Sequence, residues 1–158
     1  MLKYVDTAVT FAEFPDEVSL CINISGCPCF CDGCHSPYLS KDIGEVLSLG
    51  RLQELIEANK GITLVGFMGG DSDPKEVNKL AKWVRENYPE LHVGWYSGKQ
   101  LLVDNDIDID NFDWIKLGPY MKQFGPLNNP NTNQKFYKID REAHIMMWCT
   151  DIFWKEAE

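Results

Sequence analysis

Leu20-Cys21-Ile22-Asn23-Ile24-Ser25-Gly26-Cys27-Pro28-Cys29-Phe30-Cys31-Asp32-Gly33-Cys34-His35 runs an apolar segment straight into a loop that holds four of the six cysteines. The first part, within residues 18–25, is β-branched and apolar enough for a buried strand. Pro28 and Pro37 keep regular structure out of the next segment, so the thiols sit in a loop at a strand end. Packing does not call for four thiols in eight residues. Such density points to metal binding or redox chemistry, above all where thiols stay reduced. Met1-Leu2-Lys3-Tyr4-Val5-Asp6 carries no apolar export signal, so the expected location is the cytoplasm.

Further along, the chain alternates between two periods. Leu52, Leu55, Ile56 and Asn59 recur at helical spacing, with Gly61 placed to end the helix. Residues 62–68 are a continuous apolar strand ending in Gly69-Gly70-Asp71. Asp73-Pro74 then opens a helix with an acidic cap and proline at the first helical position, and Val77, Leu80, Ala81, Val84 and Tyr88 mark its buried face. Residues 92–97 form a third strand ending in Ser97-Gly98, and residues 113–117 a fourth ending at Gly118-Pro119. The acidic segment 101–112 holds a short helix or turn. A loop over 123–133 leads to a fifth strand at 134–139.

Strands that are apolar throughout and alternate with helices predict βα units around a parallel sheet covered on both faces. The expected fold is α/β, an incomplete (βα) barrel or open parallel sheet, in one domain spanning residues 1–158. In that architecture the loops after the strands collect on one rim, where ligands bind. The cysteine loop, Gly69-Gly70-Asp71, Ser97-Gly98 and Gly118-Pro119-Tyr120 all come directly after strands.

Composition narrows the function. The chain has 158 residues with 44% hydrophobic and 25% charged content, which suits one folded domain with a real core. No apolar run approaches the roughly 20 residues of a membrane span, so no membrane partner is expected. With 15 basic and 24 acidic residues the net charge is −9, which argues against nucleic acid as a partner.

Cys27-x3-Cys31-x2-Cys34 supplies three thiolates, enough for three irons of a [4Fe–4S] cluster with the fourth iron open. A structural zinc site is the alternative, but it wants four closed ligands, usually as two separated pairs. Only Cys29 or His35 could complete it here. Cys21 and Cys149 stand too far off to serve a conventional ferredoxin cluster, and both read as buried packing. Met146, Met147 and Trp148 read as a docking surface for the core or for another subunit.

The same three cysteines resemble the signature of the radical S-adenosylmethionine enzymes, and Gly69-Gly70-Asp71 resembles that superfamily's Gly-Gly-Glu motif, with Asp71 in place of the usual Glu. The resemblance implies a [4Fe–4S] cluster on Cys27, Cys31 and Cys34, and S-adenosyl-L-methionine held at Gly33, Cys34, His35, Gly69, Gly70, Asp71 and Ser97. Further likenesses are Gly33-Cys34-His35-Ser36-Pro37, Trp95-Tyr96-Ser97-Gly98, Asn131-Thr132-Asn133-Gln134-Lys135-Phe136-Tyr137 and the Asp151-Ile152-Phe153-Trp154-Lys155 tail. These are similar to the group that activates anaerobic (class III) ribonucleoside-triphosphate reductases. Cys29 is an additional thiol, and Lys135 stands where that group commonly has arginine. The implied activity is oxidoreductase chemistry. A 5′-deoxyadenosyl radical would take hydrogen from a glycine of the reductase, with the electron supplied by a flavodoxin- or ferredoxin-type donor. No residue beyond cluster and cofactor is implied as catalytic. A homodimer, another small radical enzyme (deazapurine-forming or another glycyl-radical activase) and a non-catalytic metal-binding module all stay open.

Overall fold

The computed structural model describes residues 1–26, 43–99, 102 and 106–155. Its strands are β1 (Lys3–Thr10), β2 (Ser19–Ile24), β3 (Glu45–Val46), β4 (Leu64–Met68), β5 (His92–Tyr96), β6 (Trp114–Leu117), β7 (Lys135–Asp140) and β8 (Ile145–Trp148). They form one sheet in the order β3-β1-β2-β4-β5-β6-β7-β8. Among the described residues the helices are α1 (Leu49–Glu57), α2 (Pro74–Asn87) and the short α3 (Ile152–Lys155), with a 3-10 turn at Ile109–Asn111.

The sheet is mixed, which differs from the all-parallel expectation. β2, β4, β5 and β6 run parallel. β1 and β3 on one side, and β7 and β8 on the other, are joined by antiparallel pairing. The β1–β2 and β7–β8 connections are too short for a crossover, which antiparallel pairing permits and parallel pairing does not. The strand expected at 134–139 is β7. β8 lies where the sequence reads as a packing tail, because its four residues Ile145-Met146-Met147-Trp148 show no alternation.

The two long helices cover one face of the sheet, not both. The parallel strands are added in one direction, β2 to β4 to β5 to β6, and right-handed crossovers then keep both helices on the same side. Leu52 and Ile56 of α1, and Val77, Leu80, Ala81 and Val84 of α2, share one cluster with Leu20, Ile22, Ile24, Val65, Phe67, Val93, Trp95, Ile115 and Leu117. The helix ends reflect local chemistry. Ser48 caps α1 by accepting from the Arg51 amide at 3.1 Å, and Asp73 caps α2 by accepting from the Glu76 amide at 3.3 Å. Pro74 takes the first helical position as expected.

The alternate strand residues face the other side, in rows fixed by register. Cys21, Gly66, Gly94 and Trp114 stand opposite one another; toward the strand ends so do Asn23, Met68, Tyr96 and Lys116. Phe14, from the β1–β2 connection, fills the hollow over the two glycines. A Cβ on Gly94 would lie 2.2 Å from its Cε1, and one on Gly66 2.8 Å from its Cε2. Phe14 packs with Cys21, Leu64 and Phe136 in a second, smaller core cluster. Burial pushes the Cys21 thiol up to about 11 and the Cys149 thiol up to about 11. Cys21, buried and protonated, acts as a small apolar group, and the half-buried Cys149 packs at the edge of the same cluster.

Candidate metal and cofactor rim

The C-terminal ends of the four parallel strands carry the candidate residues. β2 ends at Ile24 and passes through Ser25 and Gly26 to the cysteine loop. Cys27, Cys29, Cys31, Gly33, Cys34 and His35 lie outside the described residues. The two stems of that loop are tied together. Ser25 Oγ donates to the Ile43 carbonyl at 2.5 Å and to the Lys3 carbonyl at 3.2 Å, and the Ser25 amide donates to the same Lys3 carbonyl at 3.0 Å. One buried serine thus closes the neck of the loop against β1.

Next to this neck, β4 ends in Gly69-Gly70-Asp71. Gly69 has φ +113° and Gly70 φ +98°, conformations that glycine takes without the steric cost a Cβ would bring. A Cβ on Gly70 would also sit 2.5 Å from Val77 Cγ2 of α2. The turn is fastened on both sides: the Gly69 amide donates to the Tyr96 carbonyl at 3.0 Å, and Trp95 Nε1 donates to the Gly69 carbonyl at 2.7 Å. Asp71, 4% exposed, points toward the end of β5. Its Oδ1 accepts from Ser97 Oγ at 2.5 Å and its Oδ2 from the Gly98 amide at 2.8 Å. Gly69, Gly70, Asp71 and Ser97, named from sequence, therefore meet on one rim beside the entry to the cysteine loop.

Two further contributors fall outside the expected cofactor set. Lys116 is 7% exposed at the end of β6, and its Nζ donates to the Ser97 carbonyl at 3.0 Å and to the Gly118 carbonyl at 3.1 Å. It also lies 5.2 Å from the centre of the Tyr96 ring. The sequence does carry a signal for it: a lone charged residue inside an otherwise apolar strand. The second contributor is Asn133, in the loop before β7. Its Nδ2 donates to the Pro119 carbonyl at 3.0 Å, while its Oδ1, shielded from solvent, has no hydrogen-bond donor among the described residues. An orphaned buried acceptor is uncommon, and a bound water or a ligand donor ordinarily fills such a position.

The opposite ends of these strands are closed by a self-satisfied polar cluster. Glu17 Oε1 is 2.5 Å from His92 Nδ1, and Glu17 Oε2 accepts from Thr63 Oγ1 at 2.7 Å. His144 is likewise occupied, 2.6 Å from Asp110 Oδ2. The described histidines thus serve structure. Among the described residues no group of three or more His, Cys, Asp or Glu could hold a metal ion, and no helix is long and apolar enough to cross a membrane.

No curated protein and no solved structure matches the chain. A family model described as "4Fe-4S single cluster domain" matches residues 18–113. That span begins at the strand entering the cysteine loop and runs through Gly69-Gly70-Asp71 and Ser97-Gly98 to the residue before β6. It is more than half of the chain, and the protein belongs to the 4Fe-4S single cluster domain family.

Proposed function

We propose that the chain is a radical S-adenosylmethionine enzyme that generates a glycyl radical on an anaerobic (class III) ribonucleoside-triphosphate reductase. The observation that carries this reading is the shared rim. The strand leading to Cys27, the Gly69-Gly70-Asp71 turn and Ser97-Gly98 lie side by side at the ends of parallel strands, where ligands of such sheets bind. Within this reading the fold is an open version of the (βα) half-barrel.

The residues suit the two groups they would hold. Cys27, Cys31 and Cys34 provide three thiolates on a loop whose neck Ser25 closes, and thiolate is the standard protein ligand of such clusters. The positive-φ glycines allow close backbone approach by a ligand, and Asn133 Oδ1 is a buried acceptor nearby. When bound on Cys27, Cys31 and Cys34, the cluster would supply one electron for cleaving S-adenosyl-L-methionine into methionine and a 5′-deoxyadenosyl fragment able to take hydrogen from a reductase glycine. The chain's own part is to bind and orient the cofactor on the rim and to keep water away from it. A flavodoxin- or ferredoxin-type protein is the electron donor, and Cys29 is no ligand.

The test is anaerobic reconstitution with iron and sulfide, then reduction in the presence of S-adenosyl-L-methionine. The expected results are a brown protein, 5′-deoxyadenosine as product, and a doublet electron-spin-resonance signal on an added anaerobic reductase. One tightly held zinc with no cleavage overturns the reading. A loaded cluster and 5′-deoxyadenosine without a reductase signal keeps the cofactor chemistry and rejects the substrate.

A further inference from the structure

A buried acid and a buried base meet at one residue on the rim. Ser97, 1% exposed, gives its hydroxyl proton to Asp71 Oδ1 and receives the Lys99 amide on the same oxygen at 3.1 Å. Its carbonyl accepts from Lys116 Nζ, and its amide donates to the Lys116 carbonyl at 2.8 Å. Lys116 also holds the Gly118 carbonyl, and the Gly118 amide donates to the Lys99 carbonyl at 2.7 Å. Charged groups removed from water at this depth are retained only where hydrogen bonds compensate them. Here the compensation links the ends of β4, β5 and β6 into one network.

An acidic side chain that serves a ligand's ammonium directly would present its oxygens to the open rim. Asp71 instead turns both oxygens to Ser97 and Gly98, and its length fits that task. We infer that Asp71 is a positioning residue. Together with Lys116 it clasps the strand ends through Ser97, setting the spacing at which the Gly69-Gly70 and Ser97-Gly98 backbones receive the amino-acid end of S-adenosyl-L-methionine. The ligand in this inference rests on the function proposed above; the clasp does not. It also gives a physical reason for Asp in place of Glu at position 71. One more methylene, roughly 1.5 Å, would carry the carboxylate past both donors.

The experiment compares D71E, D71N, S97A and K116M with wild type, all as full chains reconstituted to the same iron content. The readouts are equilibrium dialysis of S-adenosyl-L-methionine and hydrogen exchange of the peptide containing Gly98. Loss of a hydrogen bond to a charged group is expected to weaken cofactor binding by roughly ten- to a hundred-fold in each variant. Exchange around Gly98 is expected to speed up by a similar factor in D71E and D71N. Combining D71N with S97A should cost less than the sum of the two single losses, because Asp71 and Ser97 belong to one hydrogen-bond network. D71E that binds the cofactor as tightly as wild type, with Gly98 still protected, overturns the inference in favour of direct contact. Wild type that binds no S-adenosyl-L-methionine overturns the proposed function and removes the ligand from this one. Gly98 exchange then judges the clasp alone, and unchanged protection in both D71E and D71N rejects it.

Discussion

Replacing Gly94 by alanine places one methyl group against the ring that fills the face opposite the two long helices. The new Cβ would lie 2.2 Å from Phe14 Cε1 and 2.5 Å from Cζ, where carbon atoms want roughly 3.5–4.0 Å. The ring cannot retreat freely. Tyr96 packs edge-on at 5.0 Å between centroids, Phe136 lies at 6.1 Å, and Phe14 itself is fully buried. Overpacking of this kind costs about 1–3 kcal/mol, and expelling a buried phenylalanine about 3–5 kcal/mol. A loss of about 2–4 kcal/mol is therefore expected. An unobstructed strand glycine would give the opposite sign, since alanine there gains roughly 0.5–1 kcal/mol. Urea unfolding monitored by circular dichroism should show a lower midpoint with an unchanged slope, a lowering of about 1–2 M for ordinary slopes. Adding Phe14→Leu should relieve the clash, so that the double variant is more stable than the sum of the single losses implies by more than about 1 kcal/mol. G94A that is as stable as wild type, or more so, refutes the argument.

Cys21 couples stability to alkaline pH. Burial raises its folded pKa from 9.0 to about 11, so the folded state holds the thiol proton after the unfolded chain has released it. Its contribution is complete below pH 9 and falls away between pH 9 and 11, by about 2 kcal/mol. The stability gap between wild type and C21A should shrink across that window; a constant gap in urea titrations would count against the burial argument. Asp73→Ala should cost about 1 kcal/mol by removing the cap of α2, measured by thermal unfolding. The hydrogen bond from the Met1 ammonium, at 2.7 Å, keeps the Asp73 carboxyl below its ordinary pKa. The difference between wild type and D73A is thus present near neutrality and disappears as pH falls through that lowered value. Among the loop cysteines, C31S and C34S should each abolish stable iron incorporation while C29S retains it, read by iron and sulfide analysis; equal losses in C29S would point to a fully ligated metal instead.

The parallel strands, both long helices and the Asp73-Pro74 start of α2 were legible because each reflects local chemistry, whereas α1 is capped by Ser48 and ends at Ala58, short of the expected Gly61. Continuous apolar runs, helical spacing and Asp73-Pro74 act within a few residues of themselves. So does the placement of glycines after residue 68. The direction of the flanking strands and the existence of β8 were not legible: Ile145-Met146-Met147-Trp148 becomes a strand only because β7 offers an edge to pair with. The one-sided layer of long helices was hidden for a similar reason, since it arises from the order in which strands are added. Within the rim, sequence singled out Asp71 and Ser97 but gave no sign that one holds the other across 26 residues. Lys116 stands out in sequence only as a lone charge in an apolar strand; the carbonyls at the ends of β5 and β6 that compensate it come together only after the chain has folded.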